Sequence, residues 1–285
     1  MLMKKILVFI LSLCIFTTTS AKDLSEFFSN IVPGEGLTEA EVGLSDADDG
    51  EPSINLLMLR NIDKTDSSNL FTQFSLQSQD VGQKDLRYIG NLGFGYRILN
   101  EDSSLMLGTN VFYDRDLENK HERGSVGFEA RGGNLEASVN FYEGISSQDT
   151  VDKRKEQSLG GYDLNISSQI PYMPWARFNY TSYEWDADLA TVNTKGKKYS
   201  SEFNLTSSLI FEFEYDESGN TGGDDISSSK ILFVYPPRDN NPTISTGISS
   251  EAFTYANVSD KLSSKVKRKN KLVIETQGAV VFTKK

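Results

Sequence analysis

The residues best placed for acid–base chemistry are His121, the only histidine of the 285-residue chain, and the nearby Asp114 and Asp116. A carboxylate orienting an imidazole base is the core of a hydrolytic site, but it also needs an activated nucleophile, and none stands out. His121 falls in a charged stretch with Glu118, Lys120 and Glu122, where a solvated side chain is expected. Asp114 and Asp116 read instead as ordering a strand end, by accepting turn amides or by pairing with Arg115 or Arg123. One histidine does not make a transition-metal site without several converging carboxylates. The acidic run Asp46, Asp48, Asp49, Glu51 lacks the spacing of a calcium loop. Gly90, Gly93 and Gly95 sit in an alternating segment with no helix after them, so they are not a dinucleotide loop but small lumen-facing residues that would leave room inside a barrel. No catalytic, cofactor or metal site is therefore expected, nor an enzyme.

The elements that would have to position any site begin after a removable leader. Lys4 and Lys5, the apolar run Ile6 to Phe16 and the small residues Thr17 to Ala21 have the layout of a secretory signal peptide spanning 1–21. Cys14 lies inside it, so the mature chain from Lys22 is expected to hold no cysteine, which excludes disulfides and thiol chemistry. Losing two lysines takes the formal charge from −11 to −13, against a nucleic-acid partner. No later stretch has the ~18 apolar residues of a transmembrane helix.

The dominant pattern is period two. Leu86, Tyr88, Leu92, Phe94, Tyr96 and Ile98 alternate with Arg87, Ile89, Asn91, Gly93, Gly95 and Arg97. The same split recurs at Leu135 to Phe141, Tyr162 to Ile170, Tyr199 to Leu205 and Leu209 to Tyr215. Segments of about ten residues suit a tilted strand crossing a bilayer, twice the length usual in soluble sheets. Aromatics near segment ends (Tyr88, Tyr96, Phe112, Tyr113, Tyr142, Tyr172, Tyr183, Trp185 and Tyr235) suggest interfacial girdles. The expectation is an all-β, transmembrane antiparallel β-barrel of about twelve strands over 38–236, after a short periplasmic lead, 22–37. Long connections at 144–158, 187–197 and 217–226 would face outward; short ones at 132–133, 171–174 and 206–207 would face the periplasm. The 61–68 turn is longer than that rule prefers. The polar faces place Arg87, Arg97, Arg123 and Arg131 on early strands and Glu202, Glu212 and Glu214 on late ones, an expected transverse field across the lumen.

The run Gly108-Thr109-Asn110-Val111-Phe112-Tyr113-Asp114-Arg115-Asp116 resembles the GxNxFxDxD signature of the intimin and invasin family, the inverse autotransporters. Arg123, Gly127 and Glu129, then Gly161-Tyr162-Asp163 and the 171–174 turn, follow at similar spacing. Val266 to Glu275, including Arg268, Asn270 and Glu275, is similar to that family's post-barrel segment. The resemblance implies an outer-membrane barrel of a Gram-negative-type bacterium, with a periplasmic N-terminus and a C-terminal linker that returns through the lumen to display an adhesive passenger. Here 237–285 would be linker and short passenger stub. The basic run Lys265 to Lys271 is expected to pair with Glu202, Glu212 and Glu214. Implied partners are outer-membrane lipid, the barrel assembly machinery and periplasmic chaperones; the sequence identifies no receptor. A free-standing outer-membrane pore is the competing expectation.

Overall fold

The computed structural model describes residues 32–45, 52–80, 86–151, 153–220, 224–253, 257–276 and 279–281. The leader, most of the lead segment, the acidic run at 46–51 and Thr283 lie outside the described residues.

Strands form where the two faces differ in polarity. In chain order they are β1 (Gly36–Ser45), β2 (Pro52–Lys64), β3 (Ser68–Asp80), β4 (Leu86–Leu99), β5 (Leu105–Asp116), β6 (Glu122–Gly132), β7 (Leu135–Gly144), β8 (Asp149–Val151), β9 (Arg154–Ser158), β10 (Gly161–Ile170), β11 (Met173–Trp185), β12 (Thr194–Asn204), β13 (Leu209–Ser218), β14 (Ile226–Tyr235), β15 (Ile274–Thr276) and β16 (Ala279–Val281). Twelve of them, all but β8, β9, β15 and β16, close into one antiparallel barrel, with β1 hydrogen-bonded to β14 from Thr38↔Tyr235 to Ser45↔Ser228. The remaining four make a small sheet in the order β16-β15-β9-β8. Closure leaves the large sheet without an edge, the condition for β structure in lipid.

The barrel spans Gly36 to Tyr235, two residues earlier at its start than the sequence pattern suggested. The connections sort by end. At one mouth they run from two to five residues (133–134 and 171–172 the shortest, 100–104 the longest); at the other they reach sixteen (145–160). We call these the turn end and the loop end. The turn after β2 is shorter than expected, only 65–67, because β2 continues to Lys64 through an irregularity at Asn61/Asp63 and the Thr65 hydroxyl caps the turn by accepting from the Ser68 amide at 3.0 Å.

β4 shows how the faces are divided. Leu92, Phe94, Tyr96 and Ile98 are exposed on the outside, while Arg87, Ile89, Asn91 and Arg97 are buried inside. Gly93 and Gly95 face inward and lie under the rings of Phe112 and Phe71, where a Cβ would collide with the rings; Gly90 points outward, a correction to the lumenal reading of all three. The aromatic girdle also needs correcting. Tyr88, Tyr96 and Tyr113 are outward, but Phe112, Tyr142 and Trp185 are buried in the lumen, and Tyr183 donates inward to Asp216 at 2.8 Å. Their position in the alternation, not their nearness to a strand end, decides the face.

This division sets an expected outcome. Leu92, 49% exposed on the outer wall, should cost about 2–4 kcal/mol when replaced by Arg if it lies near the bilayer midplane. Ser228→Arg, beside Glu214 on the open lumenal side, should cost well under half of that. Urea unfolding of the two variants in lipid vesicles measures the difference.

Candidate functional site

The chain after β14 occupies the barrel's interior. It first crosses the turn mouth: Arg238 pairs with the buried Glu39 at 2.6 Å, the Trp175 indole donates to the Gly247 carbonyl at 2.8 Å, the Ser249 amide donates to the Tyr172 carbonyl at 2.8 Å, and the Tyr172 amide donates to the Ala252 carbonyl at 2.9 Å. A short 3₁₀ turn, Ser259–Ser263, then buries Leu262 against Leu99 and Met106 at the turn end of β4 and β5. From Ser264 the chain runs through the lumen and emerges among the loops, where Ile274 pairs with Ser158 and Thr276 with Glu156.

An extended segment inside a lumen has no neighbouring strand to satisfy its backbone, so its carbonyls need side-chain donors. The inner wall supplies them in order. Asn69 and Arg97 donate to the Leu262 carbonyl at 2.8 and 3.0 Å, Arg131 to Lys265 at 2.7 Å, Asn140 to Lys267 at 3.0 Å, Arg123 to Lys269 at 2.7 Å, Asn91 to Asn270 at 3.0 Å and Gln79 to Leu272 at 2.7 Å. The Val266 and Lys269 amides donate to Gln73 and to the Tyr142 hydroxyl at 2.9 and 2.8 Å. Arg97, Arg131 and Arg123 are thus backbone clamps held by carboxylates, the first two by Glu129 and the third by Asp114, while Arg87 is held by Asp116 and Glu156.

The expected transverse field is therefore replaced by local pairing. On the late strands, cross-strand register sets Lys230 opposite Glu212, and Lys230 and Lys198 reach Glu214 at 3.2 and 3.4 Å. Glu202 accepts from Asn179 at 3.0 Å. Within the tail's basic run, Lys265 meets Glu39 at 2.8 Å, Lys267 meets Glu136 at 3.6 Å and Arg268 meets Asp114, while Lys265 and Lys267 also act electrostatically on Glu202 and Lys269 on Glu214. Lys230, opposite Glu212 in the register, and Lys198 partly neutralise Glu212 and Glu214 from within the wall.

The alternating motif residues Gly108, Asn110, Phe112, Asp114 and Asp116 all lie on the inner face of β5. Facing them on β6 are Arg123, Gly127 and Glu129. Asp114 is the centre: the guanidiniums of Arg123 and Arg268 both bond it, at 2.8 and 2.6 Å, and Asn91 donates to its other oxygen at 2.7 Å. Arg268 also lies over the Phe112 ring, 4.3 Å from its centroid, and is itself bonded by its neighbour's side-chain oxygen, Asn270 Oδ1, at 3.1 Å. Asp163 accepts from Tyr142 and Asn140 at 2.6 and 2.7 Å. Gly161 starts β10 with φ +143°, against the Glu184 carbonyl, where a side chain would be strained and obstructed.

At the loop end two clusters hold the emerging chain. Glu275 is fully buried, and its carboxylate accepts the successive amides of Asp188, Leu189 and Ala190 at 2.9, 2.6 and 2.6 Å, a backbone nest. Beside it, His121 is only 1% exposed, which corrects the solvated reading. The hairpin β8–β9 folds over it and brings Glu156 within 3.0 Å of Nε2, while Arg87 grips the same carboxylate bidentately at 2.7 and 3.0 Å. Burial alone would raise the Glu156 pKa; hydrogen bonds from His121 and Arg87 outweigh it and hold the group down to about 2. Asp116 accepts the turn amides of Glu118 and Asn119 at 2.8 and 3.1 Å. Arg115 pairs with Glu122 outside the barrel rather than with either aspartate. Among the described residues no group of three or more His, Cys, Asp or Glu side chains is disposed to hold a metal ion.

Pattern reading found the lumenal charges but missed the donors Asn69, Gln79 and Asn140 with the acceptor Gln73, and the Glu156 partner of His121. The signal for the former was present, since each is the polar member of an alternating pair.

A closed twelve-stranded barrel with an apolar outer belt and its own chain through its lumen defines a transmembrane outer-membrane protein. The chain belongs to the family described as inverse autotransporter, beta-domain, which it matches over residues 32–270. It resides in the outer membrane of a Gram-negative bacterium. It is 31% identical over 137 residues to an attaching and effacing protein homolog of Escherichia coli (strain K12), covering 46% of this chain and 44% of that one. It is 27% identical over 135 residues to Invasin of Yersinia enterocolitica, covering 46% of this chain and 16% of that one. The matched region thus spans less than half the length of either relative. A membrane protein solved in a study of in-meso crystallization shares the fold, with a TM-score of 0.65 at 19% identity, covering 84% of this chain and 99% of that one.

Proposed function

We propose that the barrel is an anchor and translocator that exports its own C-terminal segment and displays it at the cell surface, as an adhesin or invasin does. The observation that carries this reading is the continuous path of residues 257–276 from turn end to loop end, clamped through its backbone at each step. Side-chain contacts to backbone carbonyls tolerate any sequence, so the same wall can guide a chain in transit. Within this reading residues 1–21 are the signal peptide, 22–37 a periplasmic lead, 38–236 the barrel and 237–285 the linker and displayed segment. The turn end faces the periplasm, where chaperones deliver the chain to the barrel assembly machinery. His121, Asp114 and Asp116 serve structure, not catalysis.

An epitope fused after Lys285 should be bound by antibody on intact cells at a level close to that after permeabilisation. Binding that requires permeabilisation rejects export. The second reading, a free-standing pore, is favoured by one observation: a cavity of about 270 Å³ remains beside the tail, between the basic run and the β10–β14 wall.

A further inference from the structure

The tail's sequence from Lys265 to Lys271 alternates as strictly as the strands around it. In an extended chain successive side chains point to opposite sides. The odd positions are all lysines. Lys265 reaches Glu39, Lys267 reaches Glu136 and Asn179, and Lys269 lies among Glu214, Asp216 and Lys198. The even positions differ from one another. Val266 joins the apolar cluster of Leu59, Phe71 and Phe112, Arg268 fills the Asp114 socket, and Asn270 supports Arg268.

This pattern limits how the chain can rest. A slip by one residue turns the lysines toward Arg97, Arg123 and Arg131 and is opposed by like charge. A slip by two keeps the lysines on the acidic side and preserves generic carbonyl contacts. What it changes is the residue in the socket: Val266 or Asn270 would face Asp114, and the paired guanidinium and its stacking on Phe112 and Tyr142 would be lost. Only one even position in the run carries a charge.

We propose that Arg268 is the positioning residue at which the exported chain arrests: its docking on Asp114, Ser125 and Phe112 sets the register of the tail and hence the length of chain delivered beyond the loop end. This rests on the translocator reading above. The lysines give the chain its facing, and Arg268 selects among the registers that facing allows.

Disulfide trapping in the full-length protein in cells reads the register directly, because the only native cysteine, Cys14, lies in the leader. With native Arg268, Ser158→Cys should crosslink to Ile274→Cys and not to Thr276→Cys, following the β9–β15 pairing. Moving the arginine two positions, by Arg268→Asn with Asn270→Arg, should draw the chain back by two residues and transfer the dominant crosslink to the 158/276 pair. Arg268→Gln alone should spread the product over both pairs. If the 158/274 crosslink stays dominant in both variants, the β15 pairing and the Glu275 nest set the register and the proposal is overturned. If both variants lose the folded mobility of the barrel on unheated gels, Arg268 builds the barrel instead of registering the tail, and the proposal is equally overturned. Absence of either crosslink with Arg268 in place rejects the threaded-tail reading itself, a separate failure.

Discussion

Truncation after Pro237 should raise single-channel conductance in planar bilayers several-fold and make the pore cation-selective. The segment removed fills the lumen from Leu262 to Ile274 and carries five basic residues between 265 and 271. Those residues balance Glu39, Glu136, Glu202, Glu212 and Glu214 on the facing wall, which Arg131, Arg177, Lys198 and Lys230 offset only in part. A lumen lined by excess carboxylates concentrates cations. Reversal-potential measurements in a salt gradient give the selectivity, and a truncated barrel that conducts no better than the intact one would mean the cavity beside the tail already sets the conductance, as a free-standing pore requires.

The second large effect concerns the buried charge cluster. Asp114→Asn keeps the side chain's shape but leaves the guanidiniums of Arg123 and Arg268, both with side chains at 0% exposure, facing each other without their shared anion. Removing one partner from a buried ion pair costs about 3–5 kcal/mol. The expected result is a loss of that size in urea unfolding in vesicles, reduced when Arg268→Gln removes one of the two stranded charges. The outward pair Arg115–Glu122, with side chains 42% and 27% exposed, provides the contrast: Arg115→Gln should cost under about 1 kcal/mol.

Much of this architecture is written in period two. The strand read as 86–98 is β4 at Leu86–Leu99, and its inward and outward residues separate as the alternation demands. β2, nearly apolar from Ile54 to Leu59, obeys it in part: Leu57 and Leu59 line the lumen, the latter against Val266, and Ile54 faces out, but Met58 and Arg60 on the outward face are buried, Arg60 bonding the Val32 carbonyl and the Thr38 hydroxyl. The pattern is unreadable where a strand is short, polar and completed by a distant partner. Arg154–Ser158 is charged and polar throughout and reads as loop; it becomes β9 between β8, its hairpin partner, and β15, which pairs with it from more than a hundred residues away. The burial of His121 is illegible locally in the same way, since its sequence neighbours are charged and its partner Glu156 lies 35 residues on. The tail is the instructive case. Taken as a basic run it suggests attraction to Glu202, Glu212 and Glu214, and its lysines do face that acidic side, but Val266 and Arg268 turn to other partners, and composition cannot distinguish a run from an alternation.

The threaded tail is the central claim, and thiol accessibility in intact cells tests it most directly. Thr283→Cys, beyond the described chain, and Gly133→Cys, in the turn between β6 and β7, each place a single cysteine in a mature chain expected to have none. The account predicts that a membrane-impermeant thiol reagent too large for general porins labels position 283 and not 133 until the outer membrane is permeabilised. Labelling of neither position before permeabilisation would put both ends of the tail on the periplasmic side and contradict the account.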